Sequence, residues 1–164
     1  MTNLTTDVAI IMGSDSDLPI VEASFTILDS FGVNYTKNVM SAHRTPHEVM
    51  ELIKTSEKNG CKVFIAAAGM AAHLAGAVAA HSTRPVIGIP IESGGMGGMD
   101  SLLSTAMMPP GVPVATVAVG KAGAKNSAIL AVQILATSDD GLAAKLSEYK
   151  SNMRDEVLKK DQDD

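Results

Sequence analysis

Residues 8–32 read VAIIMGSDSDLPIVEASFTILDSFG and contain the repeating unit of the fold. Residues 8–12 are continuously apolar, which is typical of a strand buried on both faces. Val21, Phe25 and Leu28 follow at helical spacing, and Gly32 stands where a helix C-terminal cap belongs. The stretch therefore predicts a buried strand, a polar turn and a helix over residues 18–31.

The same alternation continues along the chain. Further strands are predicted at 34–40, 62–68, within 85–90 and at 112–119. Helices are predicted at 45–59, 71–81, 99–106 and 123–137, with a last amphipathic helix over 142–157 after a break at 139–141 and before frayed residues 161–164. Strands separated by helices imply right-handed crossovers and a covered parallel sheet. We predict a three-layer α/β/α fold, flavodoxin-like or Rossmann-like, with a five-stranded parallel sheet and an extra C-terminal helix.

Length and composition indicate one domain over residues 1–164, with a core at about 7–137 and the last helix at about 140–159. Apolar residues make up 46% of the chain and charged residues 19%, so the chain is not disordered. Aromatic residues are only 3%, so the core must be built from aliphatic side chains. High apolar content with little charge also favours an oligomer.

Several classes of function are disfavoured. The net charge is −5 and no long basic run occurs, which argues against a nucleic-acid partner. Cys61 is the only cysteine, so neither an intrachain disulfide nor a Cys-based metal site can form, as expected for a cytoplasmic protein. Residues 1–7 do not resemble a signal peptide, and Gly69, His73 and Gly76 interrupt the best candidate membrane span. The four histidines show no metal-ligand spacing.

Polar residues follow the first predicted strand in the order Gly13-Ser14-Asp15-Ser16-Asp17. Serine hydroxyls and free N–H groups at a helix start can bind phosphate oxygens. A carboxylate such as Asp17 suits a pair of ribose hydroxyls better, because it accepts two hydrogen bonds. The alternative is that Asp17 only caps the following helix.

The second predicted strand leads into Ser41-Ala42-His43-Arg44-Thr45-Pro46. Arg44 can grip a phosphate with two hydrogen bonds, and His43 can transfer a proton near neutral pH. Ligands of such folds bind at the carboxyl ends of the strands, which favours a functional cluster. The alternative is an exposed histidine beside a solvated arginine.

The third predicted strand ends in small residues, and His73 is the one polar side chain of residues 66–76. A ligand could approach this backbone closely, although His73 could equally be satisfied within a helix. Residues 92–98 after the fourth strand contain four glycines in five positions. They indicate a mobile flap, a tight backbone passage or a plain flexible loop.

Five segments in this order resemble one known family. They are Gly13–Asp17, Ser41–Pro46, Ala71–Leu74, Met108–Thr116 and Gly120–Gly123, within a likeness that runs from about residue 8 to about 136. The chain is similar to the class I 5-(carboxyamino)imidazole ribonucleotide mutases (the PurE family) of purine biosynthesis. Met70 and Ala75 differ from the commonest family pattern, which has glycine and proline there.

The resemblance implies roles for ten residues. Ser16, Ser41 and Arg44 would hold the substrate phosphate, Asp17 the ribose hydroxyls, and Ser14 would lie near the base. His43 would transfer protons. The pocket for the migrating carboxylate would be walled by Ala68, Gly69, His73 and Leu74. The resemblance also implies no cofactor, and a homo-octamer with its sites between subunits.

The reaction implied is transfer of a carboxylate from the exocyclic nitrogen to the ring carbon of a phosphoribosyl-imidazole. Two alternatives stay open. One is the related carboxylase, which uses free CO₂ and aminoimidazole ribonucleotide. The other is a module that binds a phosphorylated ligand without turnover, since this fold hosts many functions.

Overall fold

A computed structural model describes residues 6–160, in which five strands form one parallel sheet. The strands are β1 (Val8–Met12), β2 (Tyr35–Val39), β3 (Val63–Gly69), β4 (Val86–Ile91) and β5 (Ala115–Thr116). The helices are α1 (Leu18–Phe31), α2 (Pro46–Lys58), α3 (Leu74–His81), α4 (Met99–Ala106), α5 (Lys121–Ala136) and α6 (Asp140–Lys160). The strand order is β2-β1-β3-β4-β5, which confirms the predicted flavodoxin-like α/β/α class.

Helices cover the sheet on both faces because alternate residues of each buried strand point to opposite sides. In β1, Val8, Ile10 and Met12 join the core cluster that α1 and α5 complete. Ala9 and Ile11 belong to a second cluster with α2 and α3. All five residues of β1 are buried, so this strand contributes to both cores.

Helix α6 extends the layer formed by α1 and α5. Leu142, Leu146 and Tyr149 pack against the first core cluster, and the rings of Tyr149 and Phe31 lie 5.6 Å apart between centroids. Beyond this contact the helix is exposed at every described position from residue 151 to 160. None of the helices in residues 6–160 is long and apolar enough to cross a membrane.

Several predicted boundaries differ from the structure. The fifth strand, predicted at 112–119, pairs with β4 only through Ala115 and Thr116. It lies at the sheet edge, and Pro113 has no N–H to donate to a ladder. Helix α5 begins two residues before its predicted start at 123, and α6 already begins at Asp140. The predicted fraying of 161–164 lies outside the described residues.

The third helix shows the difference that matters most for the site. The sequence predicts this helix from residue 71, but α3 begins only at Leu74. Met70 has a left-handed backbone, with φ of 55°, and the Ala72 N–H donates to the Met70 carbonyl at 2.9 Å. This turn replaces the first helical residues and brings His73 to the carboxyl edge of the sheet.

Candidate active site

A cavity of about 500 Å³ lies at the carboxyl edge of the sheet, where the strand order reverses between β1 and β3. In doubly wound folds this switch point is where ligands bind. All ten residues predicted for the site line this one cavity: Ser14, Ser16, Asp17, Ser41, His43, Arg44, Ala68, Gly69, His73 and Leu74. The structure therefore brings together side chains from three separate strand ends.

The loop after β1 is a short 3-10 turn held by its own side chains. Ser14 N–H donates to Asp17 Oδ2 at 3.1 Å, and Ser16 Oγ donates to Ser14 Oγ at 2.9 Å. The Asp17 side chain makes no capping hydrogen bond to α1, so the alternative of a simple cap for that helix is not observed. Ser14 and Ser16 both line the cavity.

Asp17 is a buried carboxyl, with 5% of its surface exposed. Burial raises its pKa above the ordinary value, the Ser14 N–H opposes this shift, and the charge of Asp15 adds to it. A carboxyl that faces a cavity but is poorly hydrated is free to accept hydrogen bonds from a ligand. Hydroxyl groups of a sugar are donors of the required kind.

The loop after β2 is a turn closed by Thr45. Its backbone N–H and its Oγ1 both donate to the Ser41 carbonyl, at 2.8 and 2.9 Å. The Arg44 N–H donates to Ser41 Oγ at 3.2 Å. A guanidinium N–H of Arg44 also donates to the Gly13 carbonyl at 3.2 Å, which links this loop to the loop after β1. Arg44 is the only arginine or lysine among the described residues that line the cavity.

The loop after β3 brings a second histidine to the first. His43 Nε2 and His73 Nδ1 are 3.1 Å apart, and the ring centroids are 5.2 Å apart. Ala68 and Gly69, both small, line the same cavity, as does Leu74, which is 2% exposed. The cavity thus combines serine hydroxyls, one cation, two imidazoles and small residues on its wall.

The cavity also contains residues that the sequence reasoning missed. Ser93, two positions beyond β4, lines it, as do Gly13, Ala42, Met70 and Ala71. The rule that polar residues at carboxyl strand ends converge could have found Ser93, because it follows the fourth strand as Ser14 and Ser41 follow the first two. Across residues 6–160, no three His, Cys, Asp or Glu residues are grouped closely enough to hold a metal ion.

The fold and the cavity together define an α/β protein of the flavodoxin-like class with a candidate active site at the switch point of its sheet. A family model described as AIR carboxylase matches residues 7–156, and the chain belongs to this family.

Relatives of known name agree with this assignment. A protein of Bacillus subtilis named N5-carboxyaminoimidazole ribonucleotide mutase is 52% identical over 151 residues, which cover 92% of this chain and 93% of that protein. A protein of the same name from Thermotoga maritima is 50% identical over 155 residues, covering 94% and 90%. The crystal structure of Treponema denticola PurE matches with a TM-score of 0.87 at 29% identity, covering 94% of this chain and 96% of that one.

Proposed function

We propose that this protein is an N5-carboxyaminoimidazole ribonucleotide mutase, which converts 5-(carboxyamino)imidazole ribonucleotide into 4-carboxy-5-aminoimidazole ribonucleotide in de novo purine biosynthesis. The observation that carries the proposal is identity of about half, over nine tenths of the chain, to proteins named for this activity. The matching family model is described as AIR carboxylase. The CO₂-dependent carboxylation is therefore the alternative reaction, which an assay must distinguish from the mutase reaction.

Substrate binding is assigned by the chemistry of the cavity wall. We assign the phosphate to Ser16, Ser41 and Arg44, because two hydroxyls and a guanidinium can donate to its oxygens. Asp17 then accepts the ribose hydroxyls, and Ser14 lies near the base. The contact between Arg44 and the Gly13 carbonyl supports this arrangement, since it holds the cation over the first loop.

The reaction needs only a proton and a closed space. The bond between the exocyclic nitrogen and its carboxylate breaks, CO₂ is released, and His43 delivers a proton to that nitrogen. The ring carbon then attacks the same CO₂, and His43 takes the proton that this carbon loses. One histidine thus serves as acid and then as base, and the proton count is unchanged over the cycle.

The trapped CO₂ requires a wall that excludes water, because its escape would waste the intermediate. We assign this wall to Ala68, Gly69, His73 and Leu74. Small side chains let a three-atom molecule lie against the backbone, and Leu74 contributes a buried apolar surface. The phosphate, remote from the reacting atoms, supplies binding energy for positioning.

We further propose that the enzyme acts in the cytoplasm as a homo-octamer. Exposed apolar side chains support an assembly, because contiguous apolar surface marks an interaction site, and the exposed Met153 and Val157 are four residues apart on α6. Met107 is 78% exposed, Val157 68% and Met96 66%. Light scattering of the purified protein would measure the mass directly, and a monomer of 17.0 kDa would contradict the octamer.

The test is an absorbance assay with 5-(carboxyamino)imidazole ribonucleotide and no added bicarbonate. Rapid conversion in proportion to protein concentration is expected for a mutase. Activity only on aminoimidazole ribonucleotide with bicarbonate would assign the chain to the carboxylase reaction. Binding of a ribonucleotide with neither activity would leave a module without turnover.

A further inference from the structure

The contact between His43 and His73 indicates that His73 does more than line the pocket. We propose that His73 is a positioning residue, whose Nδ1 accepts a hydrogen bond from His43 Nε2–H and so fixes the ring that transfers the proton. The proposal rests on the proposed function, since it concerns the role given there to His43. The 3.1 Å separation of the two nitrogens is its first observation.

The direction of this hydrogen bond follows from the chemistry of the cycle. A neutral imidazole has one N–H and one bare nitrogen, whereas an imidazolium has two N–H groups. If His43 Nε2 donates to His73, the bond persists when His43 is protonated, because only His43 Nδ1 changes. If His73 donated instead, protonation of His43 would place two hydrogens between the nitrogens and break the contact. Only the first direction lets His43 act as acid and base without turning its ring.

The surroundings of His73 suit an acceptor. His73 is the N-cap residue of α3, and its carbonyl accepts the Ala77 N–H at 2.9 Å. Its side chain makes no capping hydrogen bond, so Nδ1 remains available to His43. The positive end of the helix favours an electron pair over a cation at this place.

The backbone also makes His73 the firmer of the two partners. Its neighbours Ala72 and Leu74 are each 2% exposed and are anchored in the interior. His43, by contrast, is followed by the exposed Arg44 and has no other side-chain hydrogen bond among the described residues. A fixed acceptor opposite a loop histidine orients the ring before substrate arrives, which is the task of the aspartate in a catalytic triad.

Two replacements separate positioning from wall formation. Asparagine at this position retains an acceptor oxygen near the place of Nδ1, whereas phenylalanine retains the ring shape without an acceptor. We expect His73→Phe to lower kcat by about 10- to 100-fold with KM within about threefold, because correct orientation is part of the general acid–base contribution. His73→Asn should recover most of this loss. His81→Phe, at the exposed far end of α3, is the matched control.

Solid-state ¹⁵N spectra of histidine-labelled protein test the hydrogen bond itself, with signals assigned through His43→Asn and His73→Asn. We expect the ¹⁵N chemical shift of His73 Nδ1 to be that of an unprotonated nitrogen that accepts a hydrogen bond. We also expect a coupling between this nitrogen and a protonated His43 Nε2. A proton on His73 Nδ1 would overturn the proposal. So would equal losses in the Asn and Phe variants, an unchanged kcat in His73→Phe, or an effect on KM alone. If the wild-type protein is inactive as a mutase, the proposed function fails, while the spectra still decide the contact.

Discussion

The hydroxyl of Ser93 occupies the place where a side chain on Gly69 would begin. A Cβ at residue 69 would overlap Ser93 Oγ and would stand 3.1 Å from the Ile91 carbonyl oxygen. Gly69 and Ile91 are paired at the ends of neighbouring strands, so the loop after β4 folds back over the end of β3. The absence of a side chain at residue 69 therefore lets two strand ends share one wall of the cavity.

We expect Gly69→Ala to destabilise the protein by about 1–3 kcal/mol, because the added methyl group must displace backbone or Ser93. The mutase kcat/KM should fall by at least about tenfold, since the displaced wall is the one assigned to CO₂. Urea unfolding and the mutase assay measure the two effects. Gly95→Ala is the matched control, because a Cβ at residue 95 would have nothing within 4 Å and the φ of Gly95 is not positive. Equal behaviour of the two variants would contradict the shared wall.

Met70 adopts a backbone conformation that side chains disfavour. Its φ is 55°, and 63% of its surface is exposed, so packing compensates little. The left-handed conformation costs about 1–2 kcal/mol for a residue with a Cβ, and glycine removes this cost at some loss of chain entropy. We expect Met70→Gly to raise the free energy of unfolding by roughly 0.5–1 kcal/mol.

Ala71→Gly is the control for Met70→Gly, because Ala71 is also exposed but its φ is not positive. At residue 71 the glycine relieves no backbone strain and only increases the conformational entropy of the unfolded chain, so the free energy of unfolding should fall slightly. Urea unfolding of both variants measures the difference. A loss of stability in Met70→Gly as large as in Ala71→Gly would show that the methionine side chain contributes more than the strain removes.

Much of the fold can be predicted from the sequence because local signals coincide there. β1, α1 and α4 have the predicted bounds, and α1 ends at Phe31 because Gly32, which follows it, can adopt the left-handed backbone of a C-terminal cap. The predicted fifth strand is too long because a run of apolar residues indicates only that the segment is buried. Pairing with β4 also requires backbone N–H groups that face that strand. The start of α3 escapes prediction because the turn at Met70 depends on tertiary context.

The site is predictable in its residues but not in its contacts. Parallel strands end at the same edge of a sheet, so polar residues at three strand ends are expected to meet. The distance between His43 and His73 depends on two loop conformations that no sequence pattern encodes. The same rule could have included Ser93 among the lining residues, but its contact with the place of a Gly69 side chain depends on the path of the glycine-rich segment, which only the structure gives.

Asp17 should cost the protein stability at neutral pH. Because burial raises its pKa in the folded state, the folded protein holds this proton to higher pH than the unfolded chain does. The protonated Asp17 carboxyl therefore favours the folded protein at low pH, and this contribution to the free energy of unfolding is lost as pH rises through the raised folded pKa. We expect Asp17→Asn, which can still accept the Ser14 N–H, to have a higher Tm than wild type at pH 7.

The Tm difference should shrink as pH falls through the raised folded pKa and should level off below about 4, where the wild-type carboxyl is protonated in both the folded and the unfolded protein. The same variant should bind the ribonucleotide more weakly, because a neutral amide is a poorer acceptor for two sugar hydroxyls. Thermal unfolding over a pH series and a substrate titration measure these effects. A constant Tm difference at all pH values would show that the change acts through packing and not through charge.

Arg44→Ala should mainly weaken binding. A hydrogen bond to a charged group contributes about 1.5–3 kcal/mol, so affinity for the ribonucleotide should fall by about 10- to 100-fold. Affinity for the corresponding nucleoside, which lacks the phosphate, should be nearly unchanged. Arg84→Ala is the matched control, since Arg84 is exposed and precedes β4 at the opposite edge of the sheet. An equal loss for nucleotide and nucleoside would place the phosphate elsewhere.

His43→Asn should separate chemistry from binding. The proposed cycle passes one proton to the exocyclic nitrogen and takes one from the ring carbon, and asparagine can do neither. A general acid–base group contributes about 10²–10⁴ in rate, so kcat should fall by that order while substrate affinity, measured by titration, stays within a few-fold. His47→Asn is the matched control, because His47 is exposed on the first turn of α2 and lies outside the cavity. Near-full activity of His43→Asn would assign the proton transfer to another group, whereas loss of affinity without loss of kcat would make His43 a binding residue.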